Sequence, residues 1–123
     1  MKQVLLVDDS ATMRRMVMAA LRSVPGVQFA ESGSGLEAIE RLALAPVDLM
    51  ILDLNMPDMH GLDVLRFIRA QDTYRGLPIL VLTTRGDAAS RAGALEAGAS
   101  HYATKPFEPQ ALAAQVRALL QLP

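Results

Sequence analysis

The sequence predicts an α/β domain, a doubly wound parallel five-stranded sheet with helices on both faces, and three observations carry that prediction. Short aliphatic runs alternate five times with stretches whose apolar residues recur at helical spacing. The strongest runs are unbroken, as strands covered on both faces require. Four of the runs also stop on polar residues: residues 4–7 on Asp8 and Asp9, 49–52 on Asp53, 79–82 on Thr83 and Thr84, and 101–104 on Lys105, with Pro106 after it.

The elements follow in order. VLLV at residues 4–7 reads as a buried strand, and Met13, Met16, Val17, Ala20 and Leu21 then repeat at helical spacing until Pro25-Gly26 stops the helix. A weaker strand over 27–30 precedes Ser34-Gly35-Leu36-Glu37, a capping-box pattern that opens a helix with Leu36, Ile39 and Leu42 on one face. The third pair is a strand over 49–53 and a helix from about Gly61, with Leu62, Leu65 and Ile68 inward. A strand over 77–82 leads to a helix over about 87–97, ended by Gly98. The last strand, about 100–104, is followed by Pro109 in a first helical turn and by Leu112, Val116, Leu119 and Leu120.

Bulk properties fit one small domain, residues 1–123. A chain of 123 residues, 51% of them hydrophobic, supports one core and is short for two. No run reaches the roughly 18 apolar residues of a membrane span, and Met1-Lys2-Gln3 leads straight into a strand, so a cytoplasmic location without membrane insertion is the default expectation. The absence of cysteine excludes disulfides and thiolate metal sites. Twelve Lys plus Arg against thirteen Asp plus Glu leaves a net charge of -1, which argues against direct nucleic-acid binding.

Ligands of doubly wound sheets sit beyond the carboxyl ends of the strands at the topological switch point. With the flavodoxin-like strand order 2-1-3-4-5, taken from the fold type, that point lies between the strands ending in Asp8-Asp9 and Asp53. Three carboxylates gathered there repel one another by a few kcal/mol per pair at an effective dielectric near 20. The arrangement therefore calls for a cation, and Mg2+, a small hard ion with a preference for oxygen ligands, suits it; Mn2+ is the expected substitute. Three negative charges are then balanced by two on the ion and one on Lys105, and an incoming phosphoryl group is no longer repelled.

Taken singly, these residues have plain structural explanations. An Asp after a strand is commonly a turn residue or helix cap, Thr83 a β-former, Lys105 a solvated charge, and Pro57 and Gly61 loop punctuation. Tyr102 on a short strand is by default a half-buried packing residue. Neither His60 nor His101 has metal-ligand spacing. Their joint spacing is what is specific. VDDSATMRR at 7–15, DLNMPDMHG at 53–61, LTT at 82–84 and YATKPF at 102–107 together resemble a receiver domain of the two-component response regulators, most closely the single-domain, CheY-like kind.

The resemblance implies roles residue by residue. Asp53 is the nucleophile that accepts a phosphoryl group from a phosphohistidine on a sensor histidine kinase or phosphotransfer protein; a carboxylate needs no separate base at neutral pH. Asp8 and Asp9, with the backbone carbonyl of Asn55, hold Mg2+. Lys105 and the Thr83 hydroxyl bind phosphoryl oxygens, and the Lys105-Pro106 peptide is cis. Thr83 and the aromatic switch Tyr102 then rearrange, and the face over residues 87–121 changes its affinity for a downstream protein. Asn55, Thr84 and Arg85 stand where the family tunes hydrolysis of the acyl phosphate; in many relatives an acidic or small residue takes the place of Arg85 and an alanine that of Thr84. The chain is thus expected to be a signalling phosphoacceptor that assists its own phosphorylation and dephosphorylation, and not a turnover enzyme.

Residues 10–15 resemble those of the chemotaxis regulators, and the chain reads either as a free-standing regulator of that type or as the receiver part of a larger one. Two alternatives share part of the pattern. An aspartate-nucleophile phosphatase usually carries its nucleophile after the first strand, with a second Asp two positions later, whereas Leu54-Asn55 follows Asp53. A flavodoxin-type electron carrier needs a phosphate-cradling loop where this chain has Asp8-Asp9-Ser10-Ala11.

Overall fold

The computed structural model describes residues 1–56 and 60–122; Pro57 of the sequence reading lies outside the described residues. Strands β1 (Lys2–Val7), β2 (Val27–Ser32), β3 (Leu49–Leu52), β4 (Ile79–Thr83) and β5 (His101–Thr104) alternate with helices α1 (Ala11–Ala20), α2 (Gly35–Leu44), α3 (Gly61–Arg69), α4 (Ala88–Glu96) and α5 (Pro109–Leu119). All four strand pairings are parallel, in the order β2-β1-β3-β4-β5.

Because successive strand residues face opposite sides, the central strands supply two cores. Leu5, Val7, Met50, Leu52, Ile79 and Val81 pack with α2, α3 and Ala94 of α4. Val4, Leu6, Leu49, Ile51, Leu80 and Leu82 pack with Val17 and Leu21 on one side of the chain's start and Leu112, Val116 and Leu120 near its end. The unbroken aliphatic runs are thus explained by burial on both faces.

The helix starts follow local chemistry. Ser10, Ser34, Asp87 and Glu108 cap α1, α2, α4 and α5, each accepting a hydrogen bond from a first-turn N–H. Ser34 takes the Glu37 N–H at 3.1 Å, as its motif predicts. The face of α2 differs from the expected one. Gly35, Ala38 and Leu42 are buried, whereas Leu36 is 60% exposed. Small residues at 35 and 38 let the helix approach the sheet closely, and Leu36, one step around, is turned outward. On α1, similarly, Val17 is buried and Met16 is 52% exposed. Strand β4 begins at Ile79, since Pro78 has no N–H for the ladder.

Gly61 is more than punctuation. A Cβ there would lie 2.4 Å from the Leu54 Cα and 2.6 Å from the Asp53 carbonyl oxygen, both backbone atoms. The missing side chain lets α3 start directly against the segment that carries Asp53, with the Gly61 N–H donating to Leu54 O at 3.0 Å. Gly61→Ala is expected to destabilise the fold by about 2–3 kcal/mol through overpacking, read as a lower urea midpoint; an unchanged midpoint would show that the contact is relieved without cost.

Candidate functional site

Parallel register brings the strand ends together. Val7 pairs with Leu52, the Asp53 N–H donates to Val7 O at 2.9 Å, and the Asp8 N–H donates to Ser32 O at 3.1 Å. Asp8 and Asp53 therefore leave adjacent strands side by side, 7% and 5% exposed, with Asp9 more open beside them. One carboxylate oxygen from each of Asp8, Asp9 and Asp53 lies within 4.8 Å of the others.

Lys105 reaches the same point from β5. Its N–H donates to Thr83 O at 2.8 Å, and the peptide to Pro106 is cis, as expected. The largely buried ammonium lies 2.7 Å from Asp8 Oδ2 and 3.6 Å from Asp53 Oδ2. Burial pushes the Asp53 carboxyl above its usual range; Lys105 and the Asn55 N–H, 3.2 Å from Oδ1, oppose this, while Asp8 and Asp9 add to it.

Thr83 is fully buried at the end of β4. Its Oγ1 accepts from the Arg85 N–H at 3.3 Å and from Asn55 Nδ2 at 3.4 Å, and the same amide reaches Thr84 Oγ1 at 3.4 Å. Tyr102 is 3% exposed and so more deeply buried than a strand-edge tyrosine is by default. Its hydroxyl donates to the Arg85 carbonyl, and the Arg91 guanidinium lies 5.8 Å from its ring centroid. Burial and nearby Asp87 raise the Tyr102 hydroxyl's pKa, against Arg85 and Arg91. Thr84 and Arg85 are exposed at the pocket edge.

Asp8, Asp9, Asp53, Asn55, Thr83, Thr84, Arg85 and Lys105 thus meet at one end of the sheet, and the Tyr102 hydroxyl reaches it through the Arg85 carbonyl, whereas His101 stands at the opposite end of β5. The donor set fits a small hard divalent cation: the clustered ligands are carboxylate oxygens, and a cation would offset both the burial of the Asp53 charge and the smaller repulsion from Asp8 and Asp9. Sequence reasoning missed Arg14 and Glu31. Arg14 donates to the Asp8 carbonyl and, through Nε, to Glu31 Oε1 at 2.8 Å. The readable signal was the four-residue step from Ser10 to Arg14, which returns the arginine to the face above the helix cap.

The chain matches the family model for the response regulator receiver domain over residues 4–117. It is 40% identical over 119 residues to chemotaxis protein CheY1 of Helicobacter pylori strain J99, covering 96% of each chain. Among solved structures it superposes on a putative response regulator from Chloroflexus aurantiacus with a TM-score of 0.91, 34% identity and 98% of each chain covered. It also superposes on the Mn2+-bound form of response regulator Rcp1 with a TM-score of 0.81 and 27% identity, over 97% of this chain and 91% of that one.

Proposed function

This chain belongs to the response regulator receiver domain family, in its CheY-like two-component branch, and from that premise we propose that Asp53 is the phosphoacceptor of a phosphorelay. The observation that carries this reading is the convergence of Asp8, Asp9 and Asp53 around the Lys105 ammonium. A carboxylate oxygen of Asp53 attacks phosphorus; the P–N bond of a phosphohistidine breaks, a P–O bond forms, and the histidine takes up a proton. Asp8, Asp9, Asp53 and the Asn55 carbonyl would hold Mg2+, with Mn2+ as substitute. Bound there, the ion neutralises the acids and the incoming phosphoryl oxygens.

The chain's own residues do the positioning. Lys105, now paired with Asp8 and Asp53, turns to a phosphoryl oxygen once the group is attached. The Thr83 hydroxyl already accepts two N–H bonds, which leaves its own proton to donate to another phosphoryl oxygen. Such charge-assisted contacts are what a protein can add to a loose phosphoryl transition state. Movement of Thr83 loosens the Arg85 segment to which Tyr102 is tied, and so alters the face over residues 87–121 where a downstream protein binds. Asn55, Thr84 and Arg85 border the nucleophile and set access of water to the acyl phosphate.

This assigns a cytoplasmic signalling role to residues 1–123 as one receiver domain, with a histidine kinase or phosphotransfer protein as donor and assistance to its own phosphorylation and dephosphorylation. Among the described residues, no helix is long and apolar enough to cross a membrane. Neither the phosphatase nor the flavodoxin reading is favoured by the comparisons.

The test is transfer from a radiolabelled phosphohistidine domain. Label should leave the donor and appear on this chain only with Mg2+ or Mn2+, as a base-labile acyl phosphate. Metal-independent transfer would refute the role of the acidic cluster.

A further inference from the structure

We propose, resting on the reading of Asp8, Asp9 and Asp53 as a cation site, that Arg14 is a positioning residue for that site: its guanidinium spans from the Asp8 main-chain carbonyl to the Glu31 carboxylate and holds the turn that carries Asp8 and Asp9.

Hydrogen bonds hold Asp8 at each of its polar atoms. Its N–H donates to Ser32 O at 3.1 Å, Oδ1 accepts the Ser10 N–H at 2.9 Å, Oδ2 accepts the Lys105 ammonium at 2.7 Å, and the carbonyl accepts from Arg14 Nη1. Two of these holders are themselves committed elsewhere. Ser10 caps α1, and Lys105 is the ammonium expected to turn toward the phosphoryl group. Arg14 is held from two other elements. Its backbone N–H donates to Ser10 O at 3.0 Å, which fixes the start of α1, and its side chain is 16% exposed. The Nε–Glu31 bond at 2.8 Å anchors the far end of the fork to β2. Arg14 also shares with Asp8 and Asp53 the lining of a void of about 10 Å³ beneath the site.

Only a planar fork does this. A lysine places one ammonium on one partner, whereas the guanidinium directs separate N–H groups at a carbonyl and a carboxylate. The charge is answered by Glu31, so the arginine acts on the site through the main chain of Asp8 more than through its field. Groups that orient metal ligands in this way commonly change metal affinity by 10–100-fold when removed.

The discriminating experiment is a calorimetric Mg2+ titration of the folded wild type, Arg14→Met, Arg14→Lys and Glu31→Gln. Arg14→Met is expected to bind Mg2+ about 10-fold more weakly, Arg14→Lys several-fold more weakly and Glu31→Gln about 3-fold more weakly. With a small acyl phosphate as donor, the half-saturating Mg2+ concentration of Arg14→Met should rise far more than its plateau rate falls. Removal of a nearby cation by itself would tighten Mg2+ binding, so an unchanged or tighter constant in Arg14→Met overturns the proposal. Wild-type affinity in Arg14→Lys overturns it too, since charge alone would then suffice. If Arg14→Met does not fold, a wild-type constant in Glu31→Gln has the same force. A wild type that binds no Mg2+ refutes the cation reading itself.

Discussion

Asp53→Asn is expected to abolish labelling by a small acyl phosphate in the presence of Mg2+, to below detection by intact mass, while the fold survives. The amide keeps the size and the N–H partner of the carboxylate but has no anionic oxygen to attack phosphorus. The same substitution should make the metal-free protein more stable. Burial holds the Asp53 pKa above its unfolded value, with Asp8 and Asp9 adding to the effect. The folded state therefore binds the proton more tightly than the unfolded one, and stability falls as pH rises from the unfolded value through the folded one. The asparagine avoids that loss. Its advantage should be absent at acid pH, open above the unfolded value of 3.8, and become complete above the raised folded value. Relief of the burial cost, with a smaller part from the neighbouring acids, on the order of 1 kcal/mol, corresponds to a few degrees of thermal midpoint for a domain of this size. A persistent labile phosphoryl group on the variant would contradict the assignment, and a lower midpoint at neutral pH in chelator would contradict the raised Asp53 pKa.

Lys105→Ala should separate binding of the ion from use of the phosphoryl group. The ammonium and its two carboxylates are each 10% exposed or less at the side chain, so removing it leaves buried acids without their cation, at a cost of about 3 kcal/mol in chelator. That corresponds to a fall of roughly 10 °C in midpoint. Added Mg2+ should recover much of the loss and bind at least as tightly as in wild type, since a competing positive charge is gone. Phosphorylation should nevertheless slow by about 10²-fold, the usual effect of deleting one preorganised donor, and partner affinity should respond weakly to whatever phosphate is attached. A wild-type midpoint in chelator would show that the pair carries no stability. Unimpaired phosphorylation would remove Lys105 from the mechanism.

The architecture was legible because it rests on simple signals. Leu5 and Leu6 are both buried, on opposite faces of one strand, so an unbroken aliphatic run was the correct sign of a parallel sheet. Caps such as Ser34 act locally and could be read locally. The inward face of α2 could not, because Leu36 and Ala38 compete for the core and the decision belongs to how closely the helix approaches the sheet. The acids, Thr83 and Lys105 could be placed at one sheet edge from the strand ends alone. Tyr102's depth depends on Arg91 and the Arg85 carbonyl, and the Asp8 clamp depends on Glu31 of β2, contacts that no short motif contains. Close packing at Gly61 likewise shows only in the third dimension.

The central claim, that the carboxylate at position 53 carries the phosphoryl group, is tested most directly by reducing the labelled protein with borohydride and sequencing its peptides by mass spectrometry. Reduction of an aspartyl phosphate leaves homoserine, an exchange of one oxygen for two hydrogens. Homoserine at position 53 alone, dependent on Mg2+ and donor, is the predicted result; homoserine at 8, 9 or 58, or label retained on a histidine, would contradict it.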